Sequence, residues 1–111
     1  MLDLTTAYSV LYQVKLIDGT VLSLKRPTQA LQESIMRLQK LGEKAQDVEA
    51  IMNETMAIFC RILNRNTDGI HFELEDLVEE YDYTLALMVL GDYLKFYSEE
   101  VARQVNFQAA Q

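Results

Sequence analysis

Apolar and polar positions along the chain follow two periods. Between Tyr12 and Leu24 they alternate, and from Leu31 onward they recur every three or four residues. The alternating part is divided by Asp18-Gly19, which predicts a β-hairpin over residues 11–25. Polarity selects its register. A two-residue turn would pair Lys15 with Leu22 and mix charged with apolar groups on each face. A loop of Ile17, Asp18 and Gly19 instead pairs Leu16 with Thr20, Val14 with Leu22 and Tyr12 with Leu24. One face is then apolar, the other carries Gln13, Lys15, Val21, Ser23 and Lys25, and Gly19 takes the left-handed position such a loop requires. Two strands alone are marginal in water, so this hairpin must dock on helices or extend a partner's sheet.

Four helices are predicted after it. The first opens at an N-cap Thr28, buries Leu31, Ile35, Leu38 and Leu41, and stops at Gly42. The second begins near Asp47, carries Val48, Ile51, Met52, Thr55, Phe59, Ile62 and Leu63, and fades at Asn64-Arg65-Asn66. After a turn at Asp68-Gly69, a short acidic helix spans about Glu73 to Glu80, its acids suited to the positive end of the helix dipole. The last helix, capped by Asp82, runs from Tyr83 to Asn106 with a stripe of Leu87, Leu90, Leu94, Tyr97, Val101 and Val105. From Leu85 to Leu90 it has no polar residue, the pattern of a helix through a core or a subunit interface. The fold class is therefore mainly α (α+β): a four-helix domain, residues 28–106, with an N-terminal β-hairpin. Residues 1–10 lack a period and read as a loosely held arm, residues 107–111 as a flexible tail.

Length and charge narrow the partners. The 111 residues suffice for one core and one domain, and no linker composition divides them. Half of the residues are apolar and 24% charged, a globular composition. The net charge of −7 repels phosphate backbones and anionic lipid surfaces, so neither nucleic acid nor membrane is an expected partner. The longest apolar run, within Leu85 to Gly91, is far short of the roughly 20 residues that cross a bilayer. No export signal is expected, because Asp3 stands where a basic region would and no sustained apolar segment follows. The single cysteine, Cys60, fits a reducing interior and reads as a small core residue.

Four constellations bear on chemistry. Asn64, Asn66, Asp68, Gly69 and Glu75 fall at positions one, three, five, six and twelve of a helix-loop-helix calcium loop. The first ligand position lacks charge and the eighth holds His71 rather than an apolar anchor, so a self-contained helix end and Asp-Gly turn is the competing reading. The acids Glu73, Glu75, Asp76, Glu79, Glu80 and Asp82 contain no Glu-x-x-His spacing and read as a solvated face. With one histidine and one cysteine, neither a nucleophile-base pair nor a zinc site can be assembled from the usual ligands. No catalytic, cofactor-binding or metal residue is therefore assigned, and His71 is read as solvent-facing or capping. The aromatic residues Tyr81, Tyr83, Tyr93, Phe96, Tyr97 and Phe107 are the fourth group. The apolar supply near the C-terminus exceeds what one small bundle can bury, which points to self-association or capture of an apolar helix.

The order of these segments resembles a family. The hairpin Tyr-Gln-Val-Lys-Leu-Ile-Asp-Gly-Thr-Val-Leu-Ser-Leu-Lys-Arg-Pro-Thr, the amphipathic helices, the acidic Glu-Leu-Glu-Asp-Leu and the final Leu-Gly-Asp-Tyr-Leu-Lys-Phe-Tyr together resemble the tail assembly chaperones of long-tailed (siphovirus-type) bacteriophages, over roughly Val14 to Val105. The resemblance implies a non-enzymatic protein of the infected bacterial cytoplasm. Such proteins keep the tape measure protein soluble while tail tube subunits polymerise around it, and leave before the virion is complete. Many of the genes also yield a longer, frameshifted product. A homo-oligomer acting without cofactor is expected, with Tyr93, Phe96, Tyr97 and Phe107 contacting the client or a second copy. The alternatives are a phage or prophage structural adaptor, such as a head-tail connector component, and a calcium-binding regulatory module.

Overall fold

The hairpin is the part of this fold least able to stand alone, and the remainder is arranged to hold it. A computed structural model describes residues 1–43 and 47–109, with side chains as far as Val105. Five helices and one hairpin occur among the described residues: α1 (Leu4–Tyr8), β1 (Tyr12–Lys15), β2 (Val21–Leu24), α2 (Gln29–Glu43), α3 (Val48–Leu63), α4 (Leu74–Glu80) and α5 (Tyr83–Ala109). The fold is mainly helical with an N-terminal two-stranded antiparallel hairpin.

The register follows polarity. Tyr12 faces Leu24, Val14 faces Leu22, and the Leu16 N–H donates to the Thr20 carbonyl at 2.8 Å. The Gly19 N–H closes the loop on the Leu16 carbonyl, and Gly19 has φ +92°, where a Cβ is penalised. Tyr12, Leu16, Leu22 and Leu24 are all buried. Leu22 and Leu24 are wholly covered, each contributing about 2 kcal/mol through removal of apolar area from water.

The two edges of the hairpin are treated differently. The segment after α3 turns back along β2: the Lys25 N–H donates to the Arg65 carbonyl at 3.0 Å, and the Thr67 N–H to the Ser23 carbonyl at 2.9 Å. The Asp68 carboxylate accepts from the Ser23 N–H at 3.0 Å. This outer edge of β2 is thereby closed, which removes it as a template for pairing.

The helices pack beneath. Thr28 caps α2 by accepting from the Leu31 N–H, Asp47 caps α3 through the Ala50 N–H, and Asp82 caps α5 through the Leu85 N–H at 2.8 Å. The central helix α3 touches α2, α4, α5 and β2, and buries Thr55, Ile58, Phe59, Ile62 and Leu63. Thr55 tolerates this burial because its hydroxyl donates to the Ile51 carbonyl one turn back.

Four expectations need correction. Gly42 does not end α2, which runs to Glu43, and Leu41 is exposed rather than part of the buried stripe. Gly42 lacks the positive φ of a helix-ending glycine. Residues 1–10, read as an arm, include a short helix, α1, begun by Asp3, whose carboxylate accepts from the Thr5 N–H. Of the tail assigned to 107–111, residues 107–109 continue α5, and 110–111 lie outside the described residues. Finally, the buried seam of α5 is Ala86, Leu90, Tyr93 and Tyr97, while Leu87 is 38% and Val105 60% exposed. The seam keeps Leu90 and Tyr97 of the expected stripe but takes Ala86 and Tyr93 in place of Leu87 and Leu94, because the hairpin and α3 meet α5 on its tyrosine face. Val105 stands on turns that extend beyond the core: a helix of 27 residues is about 40 Å long, within a body 48 Å in its longest dimension.

Tyr97 gives the fold a direct test. Tyr97→Phe keeps the ring and removes the hydroxyl that serves the hairpin backbone, so stability to urea should fall by about 1–3 kcal/mol and the melting temperature by on the order of 5–15 °C. An unchanged urea midpoint would show that the hydroxyl contributes nothing to holding the hairpin.

Candidate functional site

Three of the aromatic residues singled out from the sequence, Tyr93, Phe96 and Tyr97, meet Tyr12 at the junction between hairpin and helix. The Tyr97 hydroxyl lies where Tyr12 faces Leu24. It accepts from the Tyr12 N–H at 3.2 Å and donates to the Leu24 carbonyl at 2.6 Å, with the Val10 carbonyl 3.1 Å away. The Tyr93 hydroxyl donates to the Lys25 carbonyl at 2.5 Å, and the Tyr12 hydroxyl to the Asp92 carboxylate at 2.6 Å. The rings meet edge to face: Tyr93 and Tyr97 at 5.2 Å, Tyr12 and Tyr93 at 5.6 Å, Phe96 and Tyr97 at 5.0 Å. Such pairs add roughly 0.5–1.5 kcal/mol beyond their burial.

This placement corrects the site expected from sequence. Tyr93 is fully buried and Tyr97 is 3% exposed, so neither offers surface to a client or a second copy. Phe96 is half-buried against Tyr12 and Tyr97. The side chain of Phe107 lies outside the described residues. Spacing alone could not separate core from interface, because a tyrosine whose hydroxyl reaches a strand carbonyl has the same helical period as one that faces a partner.

Burial raises the pKa of Tyr12, Tyr93, Tyr97 and Tyr81; for Tyr12 the hydrogen-bonded Asp92 carboxylate adds to the effect. The folded state thus keeps these protons when the unfolded chain would release them. Their contribution is intact below the usual tyrosine pKa of 10.0 and is lost as pH rises above it. Alkaline titration should therefore show delayed phenolate absorbance that rises together with loss of helical circular dichroism. Phenolate formation by all six tyrosines at the ordinary tyrosine pKa without unfolding would contradict the burial.

The calcium-like spacing is used by the loop itself. The Asn66 carboxamide oxygen accepts from the N–H groups of Asp68 and Ile70, and its nitrogen donates to the carbonyls of Leu63 and Ile70. Asn64 accepts from the Phe72 N–H at 2.7 Å and donates to the Phe72 carbonyl at 3.0 Å. Asp68 is engaged with Ser23, and Gly69 has φ +76°. Oxygens that a cation would need are thus committed to backbone N–H groups, and among the described residues no three or more His, Cys, Asp or Glu are grouped to hold a metal ion. Asn66→Ala should cost about 1–2 kcal/mol, by the same amount in calcium as in chelator. A loss confined to calcium-containing buffer would restore the cation reading.

The remaining candidates sit apart from one another. His71 is exposed and pairs with Glu73 at 2.9 Å. The acids Glu73, Glu75, Asp76, Glu79 and Glu80 are exposed along α4 and its cap. Cys60 is half-buried, its thiol directed at the Phe72 carbonyl, with its pKa raised by burial and then by the Glu73 charge. Sequence reasoning passed over Ser34, a buried polar residue whose hydroxyl donates to the Ala30 carbonyl and accepts from Arg61 at 2.9 Å and Arg37 at 3.2 Å.

What remains open is apolar. The Leu85–Leu90 stretch buries Ala86 and Leu90 and leaves a groove on each side. One, of about 180 Å³, lies between α2, α3 and α5 and is lined by Ile35, Leu38, Ile51, Leu87 and Leu90. The other, of about 530 Å³, lies between the hairpin and α5 and is lined by Val14, Leu16, Ile17, Leu85, Met88 and Val89. The all-apolar stretch that signalled a core or interface is in fact divided between the two. No protein-family model, curated protein or solved structure matches the chain. Among the described residues, no helix is long and apolar enough to cross a membrane.

Proposed function

We propose that this chain is a non-enzymatic tail assembly chaperone that binds the tape measure protein of a phage or prophage and keeps it soluble during tail assembly. The observation that carries the reading is the apolar surface left open where α2, α3 and α5 meet. Leu87 stands on the rim of the smaller groove, and Leu41, Val48 and Met52 are exposed at the adjoining ends of α2 and α3. An exposed apolar surface of this kind suits the apolar face of a client helix, whose side chains enter at helical spacing. The net charge of −7 opposes aggregation of the loaded complex. The client follows from the order of hairpin, amphipathic helices, acidic segment and long last helix, which resembles that of the phage chaperones. The protein acts in the bacterial cytoplasm as a homo-oligomer on its client, without cofactor, nucleic acid or membrane, and is absent from the finished virion.

Co-expression with the tape measure protein of the same phage tests this. Wild type should bring the tape measure protein into the soluble fraction and co-purify with it. The variant Leu87→Asp/Met52→Asp, both at exposed positions, should fold with unchanged circular dichroism and lose at least about tenfold of the recovered complex. A tape measure protein that stays insoluble with wild type, together with this chain in purified virions, would replace the chaperone by a structural adaptor.

A further inference from the structure

We propose that the open edge of β1 binds an extended, acidic segment of a partner protein, which adds beside β1 as a further strand. The proposal goes beyond the client-holding surface at Leu87 and concerns the other side of α5.

The backbone supplies the first argument. Bonded and non-bonded pairs alternate along an antiparallel ladder. Because Leu16 bonds Thr20, the bonded pairs are Leu16 with Thr20, Val14 with Leu22 and Tyr12 with Leu24. The N–H and C=O groups of Gln13 and Lys15 therefore point away from β2. The corresponding outward groups on β2, at Ser23 and Lys25, are taken up by Asp68, Thr67 and Arg65. Those of Gln13 and Lys15 have no partner among the described residues. One edge of the hairpin is closed and the other is ready to pair.

The second argument is the groove of about 530 Å³ that runs beside this edge, with Val14, Leu16 and Ile17 on one wall and Leu85, Met88 and Val89 on the other. Ile17 is 60% and Met88 64% exposed. A strand added to β1 sends alternate side chains to opposite faces, so every second residue enters the groove and the others face water.

Charge then selects the occupant. In a chain of net charge −7, two lysines flank the groove, Lys15 on β1 and Lys95 on α5. Both are exposed, and neither has a carboxylate at ion-pair distance among the described residues. The lining also holds one acid, Asp92, whose Oδ2 accepts from the Tyr12 hydroxyl, so the two lysines leave the groove with a net charge of 2 − 1 = +1. A segment alternating apolar with acidic residues satisfies backbone, groove and lysines together. A second copy pairing through β1 would instead set Lys15 of each copy into the same short ladder and combine two acidic chains, and like charges on neighbouring strands oppose pairing. A helical occupant would leave the Gln13 and Lys15 backbone groups unused.

The test uses the whole chain and a fluorescein-labelled ten-residue peptide alternating Glu with Val. At low salt the peptide should bind saturably and protect the Gln13 and Lys15 amides from hydrogen exchange. A version with Lys for Glu, and a version N-methylated at alternate residues so that it cannot pair with an edge, should each bind at least about tenfold more weakly. Lys15→Glu/Lys95→Glu, checked for folding by circular dichroism, should reverse the preference between the Glu and Lys peptides. Absence of binding to the folded wild type, binding unaffected by N-methylation, or protection of these amides by dimerisation of the chain alone would each overturn the proposal.

Discussion

The contact on which the rest of this structure depends is the set of tyrosine hydroxyls that α5 presents to the hairpin backbone. A two-stranded hairpin has too few ladder bonds and too little buried area to persist alone. Here Tyr97 places its hydroxyl at the end of the ladder, between the Tyr12 N–H and the Leu24 carbonyl, while Tyr93 takes the Lys25 carbonyl just beyond β2. Each hydroxyl meets a backbone group that burial would otherwise leave without a partner, a loss of about 1–3 kcal/mol per group. The rings bury apolar area in the same step, so two side chains one helical turn apart supply both the polar and the apolar part of the docking.

That arrangement decides what is left over. The tyrosine face of α5 is turned toward the hairpin, so Ala86 and Leu90 follow it into the core, and the other residues of the Leu85–Leu90 stretch fall to either side. Leu87 on one flank, and Leu85, Met88 and Val89 on the other, line grooves rather than core. A small helical body with one long helix cannot wrap all of it, and 27 residues of helix against partners of 15 and 16 leave turns uncovered. The exposed apolar surface is a geometric consequence of this mismatch. The net charge of −7 opposes indiscriminate association of such a surface.

The hairpin register was legible because only one pairing separates Lys15 and Ser23 from Val14 and Leu22. Helix starts were legible because Thr28, Asp47 and Asp82 each offer an oxygen to an otherwise unpaired N–H. Helix ends were less so: Gly42 looks like a stop, but glycine permits a left-handed turn without requiring one. The Asn64–Glu75 spacing likewise fits a cation loop as well as a self-capped turn, since carboxamide oxygens serve either purpose. The side chains of Asn64 and Asn66 distinguish the two only by where they point. Most misleading was the aromatic cluster, whose abundance suggested a partner surface, whereas the hydroxyls of Tyr93 and Tyr97 are spent inside the chain.

From its sequence alone this protein is determined to be a mainly helical chain with an N-terminal hairpin in a single register, an acidic surface and an apolar excess near its C-terminus. These properties follow from local periodicity, capping chemistry and charge, each readable within a few residues. Tertiary structure alone decided which face of α5 is buried, which hairpin edge is closed and which apolar residues remain open. Those outcomes depend on contacts between residues 40 to 90 positions apart, such as Ser23 with Asp68, Tyr12 with Asp92 and Tyr97 with Val10. No local pattern encodes them, because a helix with apolar residues all round has no preferred face until another element meets it.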